Sequence, residues 1–595
     1  MIDLTAPLAA MTPHLGPVST PAFVSLLGQQ QNWWPEFVTP LWLISVGLIL
    51  GAVVSIAVYL IAMVLSFTPL GKLADDPKVG TVASLVVGGA IAAVLWTLYL
   101  PRLEGDEYAY FAIPPLGVIG VVLGFAIVYG MWHRTRREWG TILSEGVVPY
   151  LLWTAIALAV VGLAGTALVD DRNEILESIP RVNAIFDGTG SFEVEIPGND
   201  VDVNPDDAPF VPANQTYTLR NLAELTIESD RTVLLGDASD PAAFTGPPTE
   251  VDPGVPLKYR FASREKPPIP GDSTLLHIQN REIDPARLTM TFASRPDVPE
   301  AASVIVIAVM FFLALSTLVA FRQAAPRVWA LALSTAKNEM AQPLYLLLLG
   351  FGIAIVLFFG FFPFNTLGDD IRVFKDSGIT LIMILGMLQA VWSAGTSVSE
   401  EIEGRTALTV LSKPVSRRSF ILGKYAGIML SVLVLFAIIA AVFLVVMSYK
   451  PIYELRETTR ENANWRTGHD EIMSALPIFG LALMQTATIA SVAVALATRL
   501  PLLANFVTCF SVYVLGNLIQ PIVQSTGNSN PLVQFMGNLL AIPIPNLNTF
   551  NVQAAIDAGN SIPILYVAAS FNYLVCFAIF IWMVALLLFE DRDLA

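Results

Sequence analysis

Apolar residues in this chain gather in long unbroken runs, unlike the alternating or three-to-four-residue patterns of a soluble domain. Eleven runs stand out, at 41–67, 81–100, 113–132, 148–168, 301–321, 344–363, 377–397, 425–448, 474–497, 501–520 and 562–589. Each exceeds the roughly 18 apolar residues that read as a bilayer-crossing helix. A backbone in hydrocarbon must satisfy its own hydrogen bonds, so helices are the expected form.

Between the fourth and fifth runs the pattern changes. From about 170 to 298, short alternating stretches occur at Ser191 to Ile196, Thr216 to Ile227, Arg231 to Leu235, Leu257 to Phe261, Leu275 to Gln279 and Leu288 to Phe292. Clusters of Pro, Gly and Asp, such as PGNDVDVNPDDAP, separate them. This predicts an all-β, sandwich-like insert. The fold class expected is a polytopic α-helical membrane protein with about eleven spans and an inserted extracytoplasmic β domain. Its parts are an N-terminal segment 1–40, four helices in 41–169, the β domain 170–298, a fifth helix 299–323 and six helices in 324–595.

Composition agrees. Hydrophobic residues make up 54% and charged residues 14%, against about 25% charged in a soluble domain. The net charge is −16, and no basic stripe exists to neutralise phosphates, which excludes nucleic acid as a partner. Most of the negative charge falls in the β region, as a solvated surface or as a docking face for a basic partner or metal ion. Cys509 and Cys576 lie in apolar runs without CxxC spacing, and the histidines are scattered, so no metal site is expected. The first forty residues hold no Lys or Arg and lack the positive region of a secretory signal. Trp33 and Trp34 suit a membrane interface or a tail.

Lys and Arg in short loops set the orientation, because they favour the cytoplasm. Loops 68–80, 131–147, 322–343, 398–424 and 498–500 and the C-terminal tail carry 15 of them; the short loops opposite carry 7. The expectation is an N-terminus outside and a C-terminus in the cytoplasm. Loop 449–473 fits least well, with Lys450, Arg456, Arg460 and Arg466 on the outer side.

The last six runs contain no Asp, Glu, Lys, Arg or His. Ion-coupled transporters keep such residues in the bilayer, so energy is expected to enter from the cytoplasm. Polar neutral residues do occur there, among them Gln389, Ser393, Gln485, Thr488 and Asn505, which read either as interhelical glue or as a substrate path. No G-x-x-x-x-G-K-[ST] phosphate loop exists, so the chain does not hydrolyse ATP through that motif.

The most informative stretch is SVSEEIEGRTALTVLSKPVSRRSFILGKYAG, 397–427. Ser399 is placed to cap a helix whose first turn holds Glu400, Glu401 and Glu403, favoured at the positive end of the helix dipole. Ile402, Leu408 and Leu411 supply a broken apolar face, and Gly404 permits close approach. Pro414 ends the helix at Lys413. Arg417, Arg418 and Lys424 would then hold the next span among headgroups. This reads as an ordinary capped loop or as a rigid lever between two spans.

The same stretch resembles a loop of ABC-2 type permeases. The matching elements are Glu400 to Gly404, Thr406, Leu411-Ser412-Lys413-Pro414-Val415-Ser416-Arg417 and Gly423-Lys424, with Arg405 as a departure. IPNLNTFN, 544–551, and LFEDRDL, 588–594, resemble two further segments of that family. PRVWALALSTAKNEM, 326–340, resembles its amphipathic entry helix, with Trp329, Leu333, Ala336 and Met340 on one face. The resemblance covers about 325–595, and its closest flavour is the permease of nitrous-oxide-reductase maturation and gliding machinery. It implies a permease subunit of the bacterial inner membrane, in a dimer of like or unlike permeases. A separate cytoplasmic ABC ATPase would bind ATP and magnesium, with no cofactor on this chain. Residues 399–411 would be the coupling helix, touching the ATPase through Glu400, Glu401, Glu403, Gly404, Arg405 and Thr406, with Lys413, Pro414 and Arg417 at the rim. The alternative is a mechanical or assembly factor that passes ATP-driven motion to the β domain and moves no solute.

Overall fold

The computed structural model describes residues 33–590 other than 101–108, 170–171, 181–188, 200–202, 205–207, 214–221, 245, 261–267, 271–274, 295–297, 363–368, 404–415, 459–463, 527–534, 536–538, 540–542, 554–555 and 557–561. Its first helices are α1 (Trp34–Leu65), α2 (Pro77–Tyr99), α3 (Ile113–Gly130), α4 (His133–Ser144), α5 (Val148–Ala164) and α6 (Arg172–Ser178). After the strands come α7 (Ala302–Ala324), α8 (Pro326–Met340), α9 (Pro343–Phe361), α10 (Asp370–Ala394), α11 (Glu400–Glu403), α12 (Arg417–Thr458), α13 (Trp465–Ala497), α14 (Leu502–Thr526) and α15 (Ile564–Glu590). Among the described residues ten helices are long and apolar enough to cross a membrane, or eleven when the α4–α5 pair, bent by 64°, is counted as one span. Every apolar run of the sequence overlaps one of these helices.

Proline stands at the first or second position of α1, α2, α3, α5, α8 and α9. There its missing N–H has no partner to lose, and its fixed φ suits a helix start. Between α4 and α5, Gly146 has φ +77°, a left-handed conformation that a side chain resists. A Cβ there would also meet Leu333 of α8.

The helices form a central layer with attached groups. α10, α12 and α13 pack on one another around Phe374, Phe443 and Phe479. α9, α14 and α15 cover this layer, and α1 joins it to α5 and α7. α2 and α3 pack through small residues: a Cβ on Gly120 would lie 2.7 Å from Ala92, and one on Gly124 2.4 Å from the Ser84 carbonyl. Such contacts let helix backbones approach where lipid gives no hydrophobic drive to associate.

The β region holds two four-stranded sheets, in the orders β1-β8-β3-β6 and β2-β7-β4-β5. The strands are β1 (Thr189–Ile196), β2 (Val211–Pro212), β3 (Leu222–Ser229), β4 (Val233–Gly236), β5 (Thr249–Val251), β6 (Leu257–Arg260), β7 (His277–Asn280) and β8 (Ala286–Ser294). All named strand pairs are antiparallel, with Phe192 opposite Met290 and Leu235 opposite Ile278. Leu225, Ile227, Leu288 and Met290 of the first sheet share one core with Val233, Leu235 and Ile278 of the second. Each predicted stretch overlaps a strand. β2 and β5 escape the alternation test because a strand of two or three residues has no period to read.

The root of this region is fixed to the helices. Ile175 of α6, Val298 and Ala301 pack with Trp42 and Leu43 of α1, Val304 of α7 and Trp465 of α13. The Val298 N–H donates to Ser178 Oγ at 3.2 Å, and Arg466 pairs with Glu300 at 3.4 Å.

Six segments assigned to one side of the membrane meet at one end of the helices. Trp132 Nε1 donates to Asp75, and Arg322 donates to Thr141. Thr396 donates to Glu339, Ser399 to the Leu500 carbonyl, and Arg417 to the Glu590 carbonyl.

Candidate functional site

The site begins with α8. Its buried stripe, Val328, Trp329, Ala332, Thr335, Ala336 and Glu339, repeats at helical spacing. Trp329 and Ala336 lie on the expected face, with Leu333 and Met340 half-buried at its edge. The apolar part packs on Leu430 and Val434 of α12. This carries Glu339, only 2% exposed, to the end of α10.

α10 does not stop where its apolar run does. It passes through a π turn, Gly395–Ser399, straight into α11, so that Asp370–Ile402 forms one continuous helical segment. π turns are frequent at functional sites. The expected N-cap is therefore corrected: Ser399 lies inside this rod, and its hydroxyl donates 2.8 Å across to the Leu500 carbonyl between α13 and α14. With no helix start at Ser399, Glu400 and Glu401 occupy the end of a rod that begins at Asp370. Ile402 is buried in the main core.

Side chains from three helices close this junction. Thr396 Oγ1 donates to the Glu339 carboxylate at 3.2 Å. Lys424 Nζ of α12 donates to Glu401 Oε1 at 2.6 Å, and its side chain is 4% exposed. The headgroup role expected of Lys424 is thus corrected: a buried cation paired with a carboxylate escapes the cost of isolation. Gln342 Oε1 accepts from Trp392 Nε1 at 2.9 Å. Burial pushes the Glu339 carboxyl above the usual carboxylate range, against the hydrogen bonds from Ser393 and Thr396 and the charge of Lys424. A cleft of about 410 Å³ opens beside these groups, with exposed Glu400 on its rim. Arg417 and Arg499 donate to the Glu590 and Leu588 carbonyls at the C-terminal end of α15, where cations suit the helix dipole.

Gly404, Arg405, Thr406, Lys413 and Pro414, with Leu408 and Leu411, lie outside the described residues, as does the side chain of Glu403. Glu339 was not singled out from sequence. Its signal was a carboxylate in phase with the apolar stripe of an amphipathic helix.

The opposite end holds a second charged group. α10, α12 and α13 overrun their apolar runs and bury ions there. Lys450 Nζ lies 3.5 Å from Asp370 and 3.3 Å from the Phe362 carbonyl, with side chains 0% and 3% exposed. Lys375 pairs with Glu471 and donates to Ser474 at 2.8 Å. The ion-free character read from the runs thus stops short of the helices themselves. Two cations counted in outer loops, Lys375 of 364–376 and Lys450 of 449–473, are paired with carboxylates inside the fold.

The polar neutral candidates do not gather in one channel. Gln389 donates to Ser393 at 2.8 Å on its own helix, and Thr488 donates to the Met484 carbonyl. Asn505 donates to the Ala493 carbonyl, joining α14 to α13. Gln485 faces a cleft of about 220 Å³ between α10, α13, α14, residues 550–553 and Ile556. The IPNLNTFN segment forms one wall. It is held by Asn548 on the Asn517 carbonyl at 3.1 Å, and by Tyr566 and Ser570 on the Thr549 carbonyl.

A bundle of long apolar helices, with an amphipathic helix and a charged junction at one end, is the architecture of a multi-pass membrane protein. The chain belongs to the ABC-2 family transporter protein family, whose model matches residues 151–594. The match is wider than the motif-bearing 325–595 and takes in α5, the β region and α7. No curated protein and no solved structure matches the chain.

Proposed function

We propose that this chain is the permease subunit of an ATP-binding-cassette exporter, driven by a separate cytoplasmic ATPase that docks at the α10–α11 end. The observation that carries this is the unbroken rod from Asp370 to Ile402. A continuous helix transmits force along its axis, so force applied next to Glu403 is carried through the π turn toward the core around Phe374. Lys424–Glu401 and Ser399–Leu500 couple the same end to α12 and to the α13–α14 turn. Glu400 offers an exposed carboxylate at the docking end, followed by Glu403. The N-terminus then faces outward, as does the β region, and two permease chains pair with two ATPases in a bacterial inner membrane.

The test is affinity purification of the tagged chain from its native membranes. The wild-type protein should bring down a Walker-motif ATPase. The double reversal Glu400→Lys/Glu403→Lys should lose it, or keep it with hydrolysis no longer responsive to the permease. Unchanged association and unchanged hydrolysis would overturn the reading.

A second reading is favoured by the fixed root of the β region on α1, α7 and α13. Motion of α13 would then be delivered to the outer domain as mechanical output. Replacing 181–294 by a Gly-Ser linker leaves that root in place. A transporter keeps substrate-stimulated ATPase activity after this change, whereas a mechanical transmitter loses its output.

A further inference from the structure

α8 is held on two opposite sides. Leu331 meets α12, where a Cβ on Gly423 would lie 2.8 Å from its Cδ2. Leu333 meets the α4–α5 corner, where the left-handed Gly146 leaves no room for a side chain. Two residues apart, these leucines point roughly 200° from one another around the helix. Val147, fully buried beside Gly146, packs with Trp329, Ala332 and Ala336 of α8.

The corner is itself fixed through α4. Trp139 of α4 stands edge-on to Tyr59 of α1 at 4.5 Å, and Ile142 packs with Tyr59 and with Val319 of α7. Arg322, in the last turn of α7 and just before α8, closes the arrangement. Its guanidinium donates to Thr141 at 3.2 Å and lies 3.7 Å from Glu138 and 4.0 Å from Glu145. The arginine side chain is 14% exposed and the two carboxylates are 46% and 50% exposed. Ion pairs that reach solvent are weak and are screened by salt. The corner therefore combines a fixed apolar seat with a clasp that is easily released. α4, Gly146 and Val147 all precede residues 151–594, the span shared with the family.

We propose that the α4–α5 corner is a brake on α8, with Arg322 as its clasp. Glu339 of α8 accepts from Thr396 of the α10–α11 rod, so a rod driven from its docking end must carry α8 along or break that bond. The corner contacts are made with α8 where it stands. They stabilise this position over any displaced one and so hold back the step that leaves it. The motion that the brake opposes rests on the permease reading; the clasp itself does not.

The test has two arms. In the first, hydrogen–deuterium exchange is followed in the purified full chain in detergent micelles, without nucleotide or ATPase. Arg322→Gln should raise exchange several-fold in residues 326–340 and 395–402 and leave α2 and the β strands unchanged. Glu138→Gln/Glu145→Gln should do the same from the other side of the clasp. Arg322→Lys keeps the charge and should restore protection at low salt but not at about 0.5 M. In the second arm, the same variants are purified from native membranes with the ATPase that accompanies the wild-type chain, and hydrolysis is measured per assembled complex. Releasing a brake raises basal hydrolysis several-fold, whereas losing a merely structural contact lowers it. Exchange in 326–340 unmoved by either set of variants would overturn the clasp. Raised exchange with unchanged or lowered hydrolysis would overturn the brake. A wild-type chain that brings down no ATPase would refute the permease reading, and the exchange arm alone would then decide whether the corner is clasped.

Discussion

Lys424→Met is the sharpest single perturbation of the junction. The lysine is 3% exposed and donates at 2.6 Å to Glu401, whose side chain is 29% exposed. Removing one partner of a fully buried ion pair costs about 3–5 kcal/mol. A charge-assisted hydrogen bond contributes about 1.5–3 kcal/mol net. Because Glu401 reaches solvent, the lower figure applies, and a pair coupling of about 2 kcal/mol follows, a factor of roughly 30 in the folding equilibrium. The full cycle of Lys424→Met, Glu401→Gln and the double variant isolates this value. Equilibrium unfolding in mixed micelles of a mild detergent and sodium dodecyl sulfate measures it. The double variant should be more stable than the sum of the single losses implies. A coupling below about 0.5 kcal/mol would place the pair with solvent-screened surface bridges and remove it as a rigid link between α11 and α12.

Asp370→Ala leaves Lys450 buried without its carboxylate and should cost about 3–5 kcal/mol, whereas Asp370→Leu/Lys450→Met should be near neutral, in the same unfolding assay. Gly124→Ile drives a side chain into α2, where a Cβ alone would lie 2.4 Å from the Ser84 carbonyl; it should cost at least the about 1–3 kcal/mol of an overpacked interior in the same unfolding assay, and unchanged stability would refute the close packing. Glu339 has a raised pKa in the fold, so it contributes stability below the ordinary carboxylate value of about 4.3 that is lost as pH rises through its own pKa. Glu339→Gln should therefore flatten the stability profile above that value, and an unchanged slope would contradict the burial of its charge.

The membrane class, the helices and most strands were legible because each depends on a local pattern. A run of apolar residues long enough to span lipid has one low-energy form, whatever its neighbours. Strand alternation and proline at helix starts are equally local, and the motifs at 397–427 and 544–551 placed the chain in its family. Tertiary structure decided what those segments do. Ser399 has the residue type and position of a helix cap, but the helix before it continues through a π turn and its hydroxyl is taken by Leu500. Lys424 reads as an interfacial anchor and Lys450 as an outer-loop cation until Glu401 and Asp370 arrive from other helices and let them be buried. Gln485 reads as glue or path from sequence; only the packing of α10, α13 and α14 leaves its amide facing an open chamber. A helix is set by neighbours a few residues away, whereas a buried charge or an open cleft depends on which distant side chains the packing brings to the same point.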